Sequence, residues 1–339
     1  MKSLPAAVAL LGLAALTGCD APTEAPILEQ RWVLPVESTT ISVDELLPTG
    51  VTVSGNSFRV NVDPFNASAA LQDLCSACAA LQGLTAPAPA FKGTITASQS
   101  LPADVSAATV TSGSVTIAIT NNFNFDPIAG GGTVTVSLTD GQRPLGEAVI
   151  SGTMAPGTTV TRTLTVAPGA IGKTVVATTV VDSPGGQLTT IDGARTLVVT
   201  ATPAPIAASS ASVNVANRSV TIDPVDLDVE DIEDSISDRI ENGSILLEIT
   251  NPFGVSLNAS ADIAYPGGTL SKPLSISSGA MSTATLSYTG DEFRSFLGRS
   301  GVLLTGTGTV SPSAGTITVT PGQRAVIKAK LDITLQIGG

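Results

Sequence analysis

The sequence predicts an all-β protein built from two tandem antiparallel β-sandwiches, and three observations point there. The composition is 42% hydrophobic but only 3% aromatic, with 33 Gly and 22 Pro. The apolar residues are dominated by Val, Ile, Leu and Ala, with abundant Thr and Ser between them. Val and Thr suit a pleated, half-buried surface, while Gly and Pro punctuate turns. Second, strand-like runs such as GTVTVSL, KTVVATTVV, ASADIAY and STATLSY recur at roughly ten-residue spacing, separated by PGG, DG and PG. Third, one stretch is written twice: SGSVTIAITNNF (112–123) and NGSILLEITNPF (242–253) share six of twelve residues at an offset of 130.

At the N-terminus, Lys2 precedes an apolar run from Leu4 to Leu16 and then Leu16-Thr17-Gly18-Cys19. The run is shorter than the ~20 residues a membrane-spanning helix needs. It resembles a bacterial lipoprotein signal with its lipobox. That resemblance implies a signal peptide over 1–18, cleavage before Cys19, and lipidation of the Cys19 thiol. DAPTEAPILEQ follows, with three acidic residues and two prolines; residues 19–30 are expected to be a flexible tether. Trp32, the only tryptophan, is expected to plug a core or a domain junction.

The first sandwich is expected over 31–202, a linker over 203–216 and the second sandwich over 217–339. Inside the repeat, Val115, Ile117 and Ile119 alternate as Ile245, Leu247 and Ile249 do, giving each strand one apolar face. Asn121 and Asn251 then end the strand through local hydrogen bonds or left-handed geometry, and Phe123 and Phe253 return to the core. VNVDP (60–64) matches VTIDP (220–224), and DGARTLVVTA (192–201) matches PGQRAVIKAK (321–330). The first of these pairs is offset by 160, which implies an insertion of about 30 residues in the first copy, around LQDLCSACAALQGL.

Within that insertion Leu71, Leu74, Cys75, Cys78 and Leu81 follow helical spacing, with Ser68 as the cap and Gly83 as the stop, so a helix is expected over 68–82. With Cys19 lipidated, Cys75 and Cys78 are left for a possible disulfide. A regular helix holds such positions about 5–6 Å apart and a disulfide wants Cβ atoms near 3.8 Å, so the bond demands a distorted turn. Two thiols cannot complete a zinc site. The segment DPVDLDVEDIEDSISDRIENG (223–243) carries nine acidic residues. Val225, Leu227 and Val229 alternate with Asp226, Asp228 and Glu230, and Ile232, Ile236 and Ile240 predict a second helix over 231–241 ended by Asn242-Gly243. Asp226, Asp228, Glu230 and Asp231 are weak calcium candidates, since they crowd together without the Asp-x-Asp-x-Asp-Gly spacing of a calcium loop; no other metal is expected.

Strand, ITNPF or ITNNF, then a second strand with a turn such as YPGG resembles the type-2 late embryogenesis abundant (WHy-type) domain. The resemblance implies a small sandwich in an extracytoplasmic setting and brings no catalytic residues. In the first copy Asn122 stands where that signature has proline. The units are expected to be immunoglobulin- or fibronectin-like sandwiches with a short helix in each.

Histidine is absent, which excludes Ser-His-Asp and Cys-His nucleophile systems and every imidazole-dependent metal site. A net charge of −12 argues against nucleic acid as a partner, because phosphate binding needs clustered Lys and Arg. The expected protein is therefore a non-enzyme without cofactors, lipid-anchored at Cys19 in a bacterial envelope, with the outer membrane favoured, and with a membrane and a protein as partners. The alternative is a binder of lipid or an apolar ligand, held between a sheet and helices 68–82 or 231–241 acting as lids.

Overall fold

The computed structural model describes residues 28–311 and 313–337; the signal peptide over 1–18, Cys19 and the tether as far as residue 27 lie outside the described residues. The chain opens with β1 (Leu28–Ser42), a 3-10 turn, and the hairpin β2 (Val51–Ser54) and β3 (Ser57–Val60). Next come β4 (Phe65–Ala70), the single-turn helices α1 (Leu71–Leu74) and α2 (Ser76–Ala79), β5 (Thr85–Pro87) and β6 (Phe91–Ser100). They are followed by β7 (Val105–Ser112), β8 (Ser114–Asn121), β9 (Thr133–Thr139), β10 (Pro144–Ile150) and β11 (Thr159–Thr165). β12 (Gly169–Gly172), β13 (Thr174–Ser183), β14 (Leu188–Thr190), β15 (Thr196–Pro203) and β16 (Ile206–Asn214) lead to β17 (Ser219–Asp226) and α3 (Asp234–Ser237). The last elements are β18 (Ile240–Thr250), β19 (Leu257–Tyr265), β20 (Gly268–Ile276), β21 (Met281–Thr289), α4 (Gly290–Phe296), β22 (Leu303–Val310), β23 (Thr316–Val319) and β24 (Arg324–Ile337).

All the ladders are antiparallel, and the main sheets pair into two sandwiches of identical strand order. In the first, one sheet runs β11-β8-β15-β4 and the other β10-β9-β13-β6. In the second, the sheets run β21-β18-β24-β1 and β20-β19-β22-β17. Position by position, β8 corresponds to β18, β15 to β24, β9 to β19 and β13 to β22. Inward residues alternate as the binary pattern requires: Val115, Ile117 and Ile119 on β8 and Ile245, Leu247 and Ile249 on β18 are each at most 4% exposed.

The comparison of strand orders revises the domain boundaries. β1 takes in the second sandwich the place that β4 takes in the first, pairing with β24 from Leu28↔Ile337 to Ser42↔Arg324. The stretch from 31 therefore does not open the first sandwich, and Leu28–Gln30 are strand rather than tether. The second sandwich is discontinuous: its first strand is β1, its second is β17, and the first sandwich is threaded between them. VNVDP and VTIDP are consequently not equivalent. The former leads from β3 into β4, whereas the latter lies in β17, whose counterpart is β6. The inferred 30-residue insertion disappears, because β6 and β17 themselves lie near the 130-residue offset.

Residues 203–216 are likewise not a linker. β16 occupies most of them and is the central strand of a further sheet, ordered β12-β7-β16-β3-β2, with β23 pairing to β16 as well. Ala208, Ala211, Val213 and Val215 are fully buried there. The Ala and Ser richness that reads as a linker hides a strand whose Ile206, Ala208, Ala211 and Val213 are buried. Arg218 clamps the same joint, donating to the Leu47 carbonyl at 2.8 Å and facing Asp104 at 3.6 Å.

β1 is fixed at its start by an ion pair: Arg31 Nε donates to Asp332 Oδ1 at 2.7 Å, and a second guanidinium N–H donates to Oδ2. Trp32, beside Arg31, is partly buried against the core. The Arg31 hydrogen bonds hold the Asp332 carboxyl below its usual range, outweighing the opposing effect of desolvation. A carboxyl lowered in the folded state stabilises above its unfolded value of about 3.9 and loses that contribution as pH falls through the folded value. The melting temperature is thus expected to fall less steeply between pH 6 and pH 3 in Asp332→Asn than in the parent; equal slopes in thermal melts would contradict this.

Candidate functional site

The repeated Asn is a core residue. Asn121 and Asn251 continue the inward alternation of β8 and β18 and are 0% and 4% exposed. In the first copy the Asn121 amide donates to the carbonyls of Phe125 (2.9 Å) and Met154 (2.7 Å), while its Oδ1 accepts from the Phe123 N–H (2.9 Å). In the second copy the Asn251 amide donates to Val255 (2.8 Å) and Ser277 (3.0 Å), and its Oδ1 accepts from the Phe253 N–H (3.2 Å). Each amide therefore ties the loop after its own strand to the loop that precedes β11 or β21. Neither residue adopts positive φ, so the left-handed explanation for the asparagine is replaced by satisfaction of buried carbonyls. Phe123 is fully buried, whereas Phe253 is only partly so.

Cys75 and Cys78 are disulfide-bonded, with Cα atoms 5.2 Å apart. The expected helix over 68–82 is instead two single turns broken at Cys75, whose extended backbone (φ −136°, ψ 91°) bends the chain there. Ser68 lies within β4 rather than at a cap, because its strand pairs with β15 as far as Ala70. Both cysteines are nearly inaccessible, at 3% and 0% exposure. They pack beside Leu71 and Leu74 as part of the core. That environment withholds the exposed, low-pKa thiolate that redox chemistry requires.

The acidic segment also departs from its expected form. Val225, Leu227 and Val229 are buried between exposed Asp226, Asp228 and Glu230, but only Asp234–Ser237 is helical. Ile240 already belongs to β18, and Asn242 and Gly243 lie inside that strand rather than ending a helix. Gly243 is needed there: a Cβ would lie 2.5 Å from the ring of Phe293 on α4. Asp226 Oδ1 accepts the Asp228 N–H at 2.9 Å, a turn contact. Among the described residues no three acidic or cysteine side chains converge to hold a metal, so Asp226, Asp228, Glu230 and Asp231 do not form a calcium cage.

The other shifted ionisable groups are paired or serve turns. Glu292 is lowered by the Lys272 ammonium and by the Thr289 backbone N–H, as part of the capping box of α4. Glu248 is lowered by Lys330, and Asp140 by the backbone N–H groups of Arg143 and Gln142. Burial raises the Tyr288 phenol, which packs edge-on against Phe293 and Phe296.

Both sandwiches are filled. The cavity in the second core, lined by Ile41, Val220, Asn251 and Phe253, is about 20 Å³. Its counterpart in the first, lined by Phe65, Val115, Leu138 and Ile206, is also about 20 Å³. Either has only about the volume of one water. A larger space of about 580 Å³ is an open polar cleft between Asp238–Glu241 and the start of α4, lined by Asp291, Arg294 and Gln336. Among the described residues no helix is long and apolar enough to cross a membrane.

No protein-family model matches the chain, and no curated protein matches it. Among solved structures it is similar to a protein of Parabacteroides distasonis ATCC 8503 designated as secreted, at 10% identity over 90% of this chain and 99% of that one, with a TM-score of 0.33. It is also similar to the CBM22-1–CBM22-2 tandem domain of Paenibacillus barcinonensis Xyn10C, at 9% identity over 88% and 97% of the two chains, with a TM-score of 0.21. Likenesses this distant carry no functional assignment.

Proposed function

We propose that the protein is a non-catalytic, lipid-anchored module of a bacterial envelope, held outside the cytoplasm, whose role is structural or protein-binding. The filled cores carry this reading: two cavities of about 20 Å³ offer no room for a lipid or an apolar ligand, which weighs against the binding alternative. Segments 68–82 and 231–241 do not act as lids: Leu71, Leu74 and Cys78 of the first and Ile240 of the second are buried in the core, and Ile232 and Ile236 pack against it. A buried disulfide suits an oxidising compartment, and LTGC at residues 16–19 supplies the anchor. Two or three acyl chains at about 0.8 kcal/mol per buried methylene give stable attachment. The resemblance to WHy-type domains supports the same setting.

Mass spectrometry of the membrane-fraction protein is expected to find a chain starting at Cys19 with a thioether-linked diacylglycerol, and Cys19→Ser is expected to leave the pellet. An unmodified Cys19, or a Cys19→Ser product that stays in the pellet through high-salt washing, would overturn the reading.

A further inference from the structure

The strand orders give the molecule a polarity that the sequence conceals. In the second sandwich β1 starts beside the end of β24 and the start of β18, through Leu28↔Ile337 and Ile240↔Leu335. The β17–β18 connection with α3, and α4 between β21 and β22, lie at this same end. The opposite end holds Asn251, the β20–β21 turn and β23. It is there that β1 leaves for the first sandwich and β17 returns from it. The first sandwich in turn meets the joint at the end where β4 starts and β15 finishes, marked by Phe65↔Ala201 and Val115↔Pro203. β7 emerges from that end to pair with β16, with β12 on its outer side, and β16 also pairs with β23. The two sandwiches are therefore joined end to end through the sheet centred on β16. The free end of the first sandwich carries the Cys75–Cys78 turn and the β5–β14 pair, with Leu84 and Leu188 56% and 74% exposed.

We infer that the end of the second sandwich bearing the start of β1, α3 and α4 faces a lipid surface, and that the first sandwich is presented away from it. This rests on the lipid-anchor reading. Cys19 and Leu28 are nine residues apart in the sequence, a reach of at most about 30 Å, so the anchor holds that end near the bilayer. Each sandwich adds a strand length of about 30 Å, which carries the β5–β14 end well outward. The membrane-facing end is mainly acidic, with exposed Asp231, Glu233, Asp238, Glu241 and Asp291 against Arg239 and Arg294. Anionic headgroups repel such a surface, so it stands off the bilayer on the tether rather than lying flat on it.

Trp32, near the start of β1, is a built-in probe. The lipidated protein is reconstituted into phosphatidylcholine vesicles containing dansyl-phosphatidylethanolamine, and energy transfer from tryptophan is read. A second form moves the indole to the far end by Trp32→Phe with Leu188→Trp; Trp32→Phe with Val149→Trp, at an exposed position on β10 of the same sandwich, replaces it if that variant does not fold. Transfer is expected from Trp32, with at least a several-fold loss when the indole is moved. Co-flotation with equal or greater transfer from the moved indole overturns the polarity while leaving the anchor intact. Failure to float with vesicles removes the anchor itself, and the proposal with it.

Discussion

A fragment of residues 217–339 is expected to be unfolded or aggregated, even though it contains the whole second copy as the repeat defines it. Without β1 the ladder of β24 is open along its length, and Ile327, Leu331, Ile333 and Leu335, now at most 4% exposed, lose cover at the sheet edge. The fragment also lacks Ile41 and Val43, which are 4% and 2% exposed in the core. Fully burying one such side chain contributes about 1.5–3 kcal/mol. Losing two, plus the neighbours' cover, approaches the whole stability of a small domain, about 5–15 kcal/mol. Joining residues 28–47 to 219–337 by a short flexible loop is expected to restore a cooperative unit. Far-UV circular dichroism and thermal melts of both forms check this; a cooperative melt from 217–339 alone would refute the nested arrangement.

The second large effect is expected at the paired asparagines. In Asn121→Ala, the carbonyls of Phe125 and Met154 and the N–H of Phe123 lose their buried partner together. Each unsatisfied buried group costs about 1–3 kcal/mol, so a loss of about 3 kcal/mol or more is expected from denaturant unfolding. Asn251→Ala is expected to cost somewhat less, because Phe253 is more open to water than Phe123. Replacement by Asp at either position is expected to be worse than Ala, since a carboxylate has no donor for the two carbonyls and is buried without a cation. A loss below about 1 kcal/mol in Asn121→Ala would reduce the motif to an ordinary strand end.

What was legible in the sequence was local. Alternation in GTVTVSL, KTVVATTVV, STATLSY and AVIKAKLDITLQI marked β9, β13, β21 and β24, because side-chain period is a property of each segment. The ITN repeat likewise revealed two related cores. What escaped was non-local pairing. β1 joins β24 across some three hundred residues, and its first nine positions are exposed or only half-buried, so no alternating face marks it as a core strand. β16 reads as Ala/Ser linker because few of its residues are large and its register shifts against β7 break the strict alternation. The helices expected over 68–82 and 231–241 shrink to single turns because apolar spacing at four residues also fits strands and turns that pack onto one core, and Ile240 belongs to a strand. The buried asparagines were found by repetition, but their role needed partners in a loop about thirty residues away. The bond between Cys75 and Cys78 needed the break in the helix, which no spacing rule supplies.

Because β1 mates with β24, the first strand to be translated must wait for the last. Until β24 is present that segment stays unmated, with Trp32 and its neighbours open to stray contacts. The inner sandwich, whose strands β4 to β15 follow one another without interruption by the outer one, can close first, and the outer one closes only when β24 has followed. A prematurely terminated product would therefore display a folded far end on an unfinished base.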